Sequence, residues 1–152
     1  MDSIRFRRAV ATDAAQIRDL TTAAYAPWIA VLGRKPLPME TDYDLAVQTD
    51  LIEILDLGGQ MAALIQMQMA QDHLWIENVA VHPDHQGRGL GHHLIARAEA
   101  MAADLDLREL RLLTNALLTR NLRFYAALGF VETHRTAFRG GFVVHFSKAL
   151  PN

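Results

Sequence analysis

One stretch of the chain combines an apolar strand pattern, a glycine-rich loop and an amphipathic helix pattern. Residues 75–81 are rich in β-branched and aromatic side chains, which predicts a strand. From about Gly89, apolar residues recur at three- and four-residue spacing to about Ala103, which predicts a helix. Glycines occupy positions 87, 89 and 91. Such a turn presents backbone N–H groups and a helix N-terminus to one point, which favours a phosphate or pyrophosphate.

The spacing of the loop distinguishes between known phosphate-binding motifs. A P-loop ends in Gly-Lys-Ser/Thr, and this loop contains neither lysine nor hydroxyl. The dinucleotide fingerprint G-x-G-x-x-G needs a third glycine where the chain has His92. The pattern Gln86-x-x-Gly89-x-Gly91, placed after an apolar strand, resembles the acetyl-CoA-binding motif of the GNAT family of N-acetyltransferases. A purely structural glycine-rich turn is the alternative.

The resemblance implies that acetyl-CoA is the acyl donor. The backbone of Val79, Ala80 and Val81 is expected to hold the pantetheine arm as an added strand. A backbone N–H near Val81 is expected to polarise the thioester carbonyl. The residues expected around the pyrophosphate are Gln86, Gly87, Arg88, Gly89, Leu90, Gly91 and His92.

A second cluster runs from Asn121 through Tyr125 to Gly129 and Phe130. It resembles a second family hallmark, an asparagine followed by a helix that ends in Y-x-x-x-G-F. In that family the tyrosine often protonates the leaving thiolate, which implies that Tyr125 is the general acid. The alternative is a core tyrosine with a satisfied hydroxyl group.

Many family members carry an asparagine seven residues before this tyrosine, where the present chain has Leu118. Asn121 lies one helical turn before Tyr125 on the same face, so it is the predicted substitute in binding the cofactor. Asn115 is a weaker candidate. A simple helix-start role for Asn121 stays open.

Glu77 is the charged residue within the apolar strand pattern, and simple alternation places it on one face with Trp75, Val79 and Val81. A buried carboxylate is costly unless it is paired or functional. Some GNAT enzymes use a glutamate on this strand, often through water, to deprotonate the amine, which implies the same role for Glu77. A structural salt bridge is the alternative.

Two further groups of residues surround the predicted site. Four histidines lie at positions 82, 85, 92 and 93, but their spacing matches no zinc motif, so we expect no metal. The resemblance places the acceptor wall at Tyr25, Trp28 and Tyr43, near Met39, Glu40, Asp42 and Asp44. Aromatic and acidic side chains suit a cationic amine. An ordinary solvated helix start is the alternative.

Composition limits the remaining function classes. The chain has 152 residues, and we expect a single domain over 1–152. The net charge of −2 argues against a nucleic-acid partner. No membrane-length apolar run and no basic leader occur, which predicts a cytoplasmic protein without a membrane partner. Cysteine is absent, so direct acyl transfer is favoured over a cysteinyl acyl-enzyme. A homodimer stays open.

The order of predicted elements is β-α-α-β-β-β-α-β-α-β-β. It predicts an α/β (α+β) domain with a GNAT-like mixed, mostly antiparallel sheet of about 6–7 strands flanked by about four helices. Thr12 and Thr41 are the expected caps of the first two helices. Gln66 and Gln68 are expected to face water, and Gly58-Gly59 to form a hairpin turn.

The predicted function is acetyl transfer from acetyl-CoA to a primary amine of a small molecule or a peptide. A non-catalytic acyl-CoA-binding module and a protein-interaction module on the same fold are the alternatives.

Overall fold

The computed structural model describes residues 3–151. The strands are β1 (Ile4–Arg8), β2 (Leu51–Leu57), β3 (Gln60–Met69), β4 (Leu74–Val81), β5 (Glu109–Asn115), β6 (Val131–Phe138) and β7 (Gly141–Ala149). The helices are α1 (Ala14–Tyr25), α2 (Trp28–Leu32), α3 (Tyr43–Thr49), α4 (Leu90–Asp104) and α5 (Thr119–Ala127). Short 3-10 turns cover Ala11–Asp13, Leu37–Glu40 and Pro83–His85.

The strands form one mixed sheet in the order β1-β2-β3-β4-β5-β7-β6. The β4–β5 pair is parallel, and the other neighbouring pairs are antiparallel. The predicted mixed, mostly antiparallel sheet is therefore confirmed. Five α-helices occur in the described residues instead of about four, because the short α2 follows α1 directly. It ends at Gly33, whose φ of 74° provides a left-handed cap.

Helices cover both faces of the central strands. One core packs α4 and α5 against residues such as Leu55, Ile65 and Ile76, and the other packs α1 and α3 against residues such as Ile54 and Leu64. This two-sided burial explains why the run 62–67 in β3 is continuously buried.

One glutamine prediction fails because of this burial. Gln66 is only 2% exposed, and its side-chain amide donates to Asp50 Oδ2 at 2.7 Å. Its expected position facing water is therefore wrong. Gln68 is exposed, as predicted. The alternation of β3 suggested one wet face, and the second helical layer removes it.

The two predicted threonine caps are also wrong. Thr12 lies inside the 3-10 turn that precedes α1. The carboxylate of the following Asp13 accepts hydrogen bonds from Arg7 and from the Val10 N–H. At α3 the cap is Asp42, whose carboxylate accepts from the Leu45 N–H at 3.2 Å. At α3 the adjacent aspartate therefore forms the cap. At α1 the N-cap residue is Asp13, but its carboxylate accepts from Arg7 and from the Val10 N–H instead of from an N–H group of the helix.

Strand β4 contains a bulge that changes which side chains face each core. In the register of the two strands, Gln66 of β3 pairs with Asn78 and Met67 pairs with Ile76. Glu77 is therefore an additional residue of β4 that has no paired residue in β3. Ile76 lies in the α4-side core, and Val79 and Val81 pack against that core. Simple alternation across Glu77 therefore fails, and Trp75 does not share a face with the two valines.

Within the described part of the chain, no helix is long and apolar enough to cross a membrane.

Candidate active site

The sheet opens between β4 and β5. These strands pair only through Leu74 with Leu110 and Trp75 with Arg111. Beyond these pairs the two strands separate, and two cavities lie along the opening. Four residues line both cavities: Tyr25, Val79, Asn121 and Tyr125. The cavities therefore meet around these four side chains.

The first cavity, here called the glycine-loop cleft, lies between β4, the glycine loop and α5. Its wall consists of Ala24, Tyr25, Trp28, Val79, Ala80, Val81, His85, Gln86, Gly87, Gly89, Leu90, Gly91, His92, Arg120, Asn121, Phe124 and Tyr125. Ten of the eleven predicted cofactor-binding residues lie in it. The exception is Arg88, which is exposed and absent from this wall.

The glycine loop presents a row of free backbone donors. Within the described residues, the N–H groups of residues 87–91 have no hydrogen-bond acceptor. Gly87 and Gly89 have φ values of 78° and 77°, which turn the chain into the N-terminus of α4. A row of free amides at a helix N-terminus is an arrangement that suits an anion.

Gly91 has a packing role that its sequence pattern does not reveal. A Cβ atom at this position would lie 2.9 Å from Cζ of Phe124. The ring of Phe124 therefore occupies the space that the absent side chain leaves. His92 also contacts this ring edge-on, with centroids 5.4 Å apart. Helix α5 thus closes against the loop through Phe124, a residue that the motif does not include.

The open edge of β4 presents backbone groups to the cleft. The carbonyl of Val79 accepts from the Tyr25 hydroxyl at 3.1 Å, and that of Val81 accepts from the Gln86 side chain at 3.1 Å. Both carbonyls therefore point away from β3. In a strand, the N–H of a residue lies on the same side as its carbonyl, so the N–H groups of Val79 and Val81 face the opening as well.

Tyr125 has a buried ring and an unpartnered hydroxyl group. The ring is 8% exposed and packs against Phe124, Phe130 and Phe146 at centroid distances of 5.2, 5.5 and 6.1 Å. Within residues 3–151 its hydroxyl forms no hydrogen bond. Burial raises the pKa of this phenol, so it carries its proton at neutral pH.

Tyr25 faces the same junction but is held by hydrogen bonds. Its hydroxyl lies 2.7 Å from Oδ1 of the buried Asn78, in addition to the Val79 carbonyl. Burial raises its pKa, and the neighbouring Tyr125 and Tyr43 raise it further. Asn78, which sequence reasoning missed, connects Tyr25 to Tyr43 through its amide. Its buried position results from the bulge at Glu77.

The second cavity, here called the central cavity, lies between the opened strands and the segment that follows α2. Its wall consists of Tyr25, Leu32, Arg34, Lys35, Pro36, Leu37, Pro38, Ile76, Glu77, Asn78, Val79, Leu112, Leu113, Thr114, Asn115, Leu118, Asn121, Tyr125, Phe138, Arg139 and Val143.

Glu77 lies on this wall, but it is not the interior charge that the strand pattern suggested. The residue is exposed, because the bulge turns its side chain into the open cavity. One carboxylate oxygen accepts from Nε1 of Trp75 at 2.6 Å. Within the described residues it has no salt bridge. The carboxylate is thus oriented by Trp75 and accessible to water.

The predicted amide substitute, Asn121, lies on both walls and donates to Thr114 Oγ1 at 3.3 Å. Asn115 accepts from the Leu117 N–H at 2.9 Å and stabilises the turn before α5. Leu118 is 5% exposed and packs at the start of that helix. Of the two asparagines, Asn121 is therefore the one with access to both cavities.

The predicted acceptor wall is rearranged. Tyr25 lines the central cavity, but Trp28 lies in the glycine-loop cleft. Tyr43 is fully buried, with its hydroxyl donating to the Pro38 carbonyl at 2.6 Å, so it contacts neither cavity. The acidic residues 40, 42 and 44 also lie outside the wall, and the basic residues Arg34, Lys35 and Arg139 occupy it instead.

Two of these basic residues, Arg34 and Arg139, lie far apart in the sequence but are in hydrogen-bond contact in the structure. Arg34 follows α2, and Arg139 is in the turn between β6 and β7. No local pattern places such residues together. The missed cation of the glycine-loop cleft, Arg120, lies at the start of α5. Its position in the first turn of an amphipathic helix that faces the loop was the available signal.

The four histidines at positions 82, 85, 92 and 93 do not converge. Among residues 3–151 no group of three or more His, Cys, Asp or Glu side chains has the arrangement of a metal site. His82 and Asp84 form a local contact at 3.7 Å, and His92 and His93 are exposed.

Comparison with known proteins matches residues 16–130 to the acetyltransferase (GNAT) family. Among solved structures, the chain resembles the PaiA N-acetyltransferase of Thermoplasma acidophilum in complex with coenzyme A, with 14% identity, 97% and 99% of the two chains covered and a TM-score of 0.81. It also resembles the ribosomal-protein-S18-alanine N-acetyltransferase of Escherichia coli, with 20% identity, 97% and 94% coverage and a TM-score of 0.78.

A GNAT family acetyltransferase of Elizabethkingia anophelis with acetyl-CoA bound is a third structural neighbour, with 16% identity, 99% and 100% coverage and a TM-score of 0.73. Comparison with curated proteins gives no match.

Proposed function

Because the chain belongs to the GNAT acetyltransferase family, we propose that it transfers an acetyl group from acetyl-CoA to the primary amine of an acceptor. The transfer is direct, within a ternary complex of protein, donor and amine. The acceptor is a small molecule or a peptide. The protein acts in the cytoplasm as a monomer or homodimer, without nucleic-acid or membrane partners.

The observation that carries the proposal is the Tyr125 hydroxyl at the junction of the two cavities. A tyrosine in a scaffold role normally has a hydrogen-bond partner for its hydroxyl group. The Tyr125 hydroxyl has none within the described residues and is not fully buried, since Tyr125 lines both cavities. It is therefore available to a bound molecule.

The glycine-loop cleft has the groups that acetyl-CoA requires. The free amides of residues 87–91 suit the pyrophosphate, and Arg120 adds a cation on the same wall. The N–H groups of Val79 and Val81 on the open edge of β4 suit the amide groups of the pantetheine arm. Many family members have a cofactor-binding asparagine at the position of Leu118. In this chain the side-chain amide of Asn121 takes over that contact with the cofactor.

Acetyl-CoA supplies a thioester as the activated acyl group, and the residues of this chain manage the protons. Glu77 accepts the amine proton, directly or through water. Tyr125 donates its proton to the departing sulfur. Burial raises the pKa of the phenol, and the same apolar surroundings raise the basicity of a thiolate, so the proton transfer stays favourable.

The residues available favour direct transfer over a covalent acyl-enzyme. The chain contains no cysteine, and the unpartnered nucleophile at the junction is a protonated phenol with a raised pKa. Such a group is a poor nucleophile at neutral pH and a suitable proton donor. The amine itself is therefore the attacking group.

The alternative is a non-catalytic module that binds acyl-CoA or a protein partner. Such a module would retain the amides of the glycine loop but would have no use for an unpartnered phenol. Tyr125 and the water-accessible Glu77 together favour an enzyme.

The decisive measurement pairs two assays on the same preparation. CoA release is followed spectrophotometrically with a panel of amines, and CoA binding is measured by calorimetry. Amine-dependent release together with binding supports the enzyme. Binding without release with any amine identifies the acyl-CoA-binding module, and no binding leaves only the interaction module.

A further inference from the structure

The central cavity has a strongly basic rim. Among the described residues of its wall, Arg34, Lys35 and Arg139 are the basic ones, and Glu77 is the only acidic one. None of the three cations has an ion pair within the described residues. They are therefore not neutralised by the protein.

The fold holds two of these cations side by side. Nη2 of Arg34 donates to the backbone carbonyl of Arg139 at 3.2 Å. The guanidinium carbons of Arg34 and Arg139 lie 5.7 and 5.1 Å from the centroid of the Phe138 ring. The aromatic face partly offsets the repulsion between like charges. The hydrogen bond uses one N–H of Arg34 and leaves the others for a ligand.

The rim belongs to the central cavity alone, because none of its three cations lines the glycine-loop cleft. The phosphates of the donor have their own amides and Arg120. The rim is thus positioned for the second substrate.

We propose that the acceptor is a small primary amine that also carries an anionic group, a carboxylate or a phosphate. This inference rests on the proposed function. The anionic group binds between Arg34 and Arg139, whose guanidinium groups suit bidentate contacts with such anions. The amine extends inward to Glu77 and the Tyr125 junction. The positive rim also disfavours the ammonium form, and only the neutral amine attacks the thioester.

Matched amines test this proposal with the intact protein. CoA release is measured for β-alanine against propylamine, for phosphoethanolamine against ethanolamine, and for the dication putrescine. We expect kcat/KM to be at least about tenfold higher for the anionic member of a pair. The two pairs also distinguish a carboxylate from a phosphate as the preferred group.

Variants at the rim identify the groups responsible. Arg34→Gln and Arg139→Asn should bring the ratio within each pair close to one, mainly through KM. Asparagine suits position 139 because φ there is 47°. Arg139→Asp should shift the preference towards putrescine. Arg5→Gln is the charge-matched control, since Arg5 is exposed on β1 and lies outside both cavity walls; it should keep the parental ratio.

The possible failures are distinguishable. Equal or greater activity with the neutral or dicationic amines overturns the anionic acceptor and leaves acetyl transfer standing. The anionic acceptor is also overturned if the rim variants keep the parental ratio of kcat/KM between the anionic and the neutral amine of each pair. It is likewise overturned if they weaken CoA binding without changing that ratio. No CoA release with any amine overturns the proposed function and this inference with it.

Discussion

Tyr125 and Tyr43 are both buried phenols, but their hydroxyl groups are in opposite situations. The Tyr43 hydroxyl donates to the Pro38 carbonyl at 2.6 Å and accepts from Asn78. The Tyr125 hydroxyl has no partner within residues 3–151. Removing the oxygen atom from each ring therefore tests a structural role against a chemical one, at two sites in the same protein.

Tyr125→Phe should lower turnover by about a hundredfold to ten-thousandfold, because it would remove the proposed general acid. Its free energy of unfolding and its CoA affinity should change little, since no hydrogen bond within the protein is lost. Tyr43→Phe should instead lower the free energy of unfolding by about 1 kcal/mol and keep most of the turnover. Steady-state CoA release and denaturant unfolding measure both effects.

The opposite pattern would contradict this assignment. A Tyr125→Phe protein that unfolds more easily yet turns over at the parental rate would make Tyr125 a scaffold residue, and water would be the acid. At the residue scale, the Y-x-x-x-G-F pattern was sufficient to single out Tyr125. The setting of Glu77 was not predictable, because a one-residue bulge in β4 changes which way its side chain points.

The start of α1 depends on a buried carboxylate that joins it to β1. Asp13 accepts from both terminal nitrogens of Arg7 at 2.9 and 3.0 Å and from the Val10 N–H at 2.8 Å. The hydrogen bonds from Arg7, followed by that from Val10, hold the pKa of Asp13 below its usual range, although burial opposes them. The charged carboxylate is therefore stabilised more in the folded state than in the unfolded chain.

This lowered pKa makes the contribution of Asp13 dependent on pH. A folded-state pKa below the unfolded value of 3.8 means that the stabilisation is complete above that value and is lost as the pH falls through the folded-state pKa. Asp13→Asn should lower the free energy of unfolding by about 1–2 kcal/mol at neutral pH, a figure reduced because Arg7 is partly exposed. The difference from the parent should shrink as the pH falls below about 3.8 towards the lower folded-state pKa.

Urea unfolding at several pH values measures this effect. Asp44→Asn is the control, because Asp44 is exposed and its contact with Arg18 spans 3.4 Å; the change there should stay within about 0.5 kcal/mol. A loss for Asp13→Asn that is equal at all pH values would indicate lost packing instead of lost charge.

At the scale of elements, periodicity predicted the strands and the long helices. The start of each helix was less predictable, because Thr12 and Asp13, and likewise Thr41 and Asp42, are adjacent residues that can both cap. Which of the two adjacent residues lies at the N-cap depends on contacts from β1 and from the following turn. The burial of Gln66 similarly depends on helices that pack on both faces of β3, and a single strand pattern does not contain that information.

For the whole molecule, the order of elements and the glycine-loop cleft were accessible from the sequence, because each motif lies in one continuous segment. The central cavity was not, because its rim joins Arg34 to Arg139, which are 105 positions apart. The aromatic and acidic acceptor wall was inferred from residues near in sequence, and the structure brings basic side chains there instead. The expected preference for a cationic amine is replaced by the anionic acceptor proposed above.

The pairing of β4 with β5 is the narrowest connection in the sheet, limited to two residue pairs. A donor bound along the open edge of β4 would link the two parts of the sheet through the glycine loop and α5. At about a hundred times its dissociation constant, acetyl-CoA should add roughly 2.7 kcal/mol to the free energy of unfolding and raise Tm, whereas NAD and ATP should have much less effect.

Hydrogen exchange at the amides of Val79 and Val81 should slow beyond this global change, because a bound pantetheine arm would form hydrogen bonds with them. The Leu55 amide, on a strand flanked by β1 and β3, serves as the internal reference. A larger rise in Tm with NAD than with acetyl-CoA would contradict the assignment of the cleft. Equal slowing at Val79 and Leu55 would indicate that the donor binds away from the open edge.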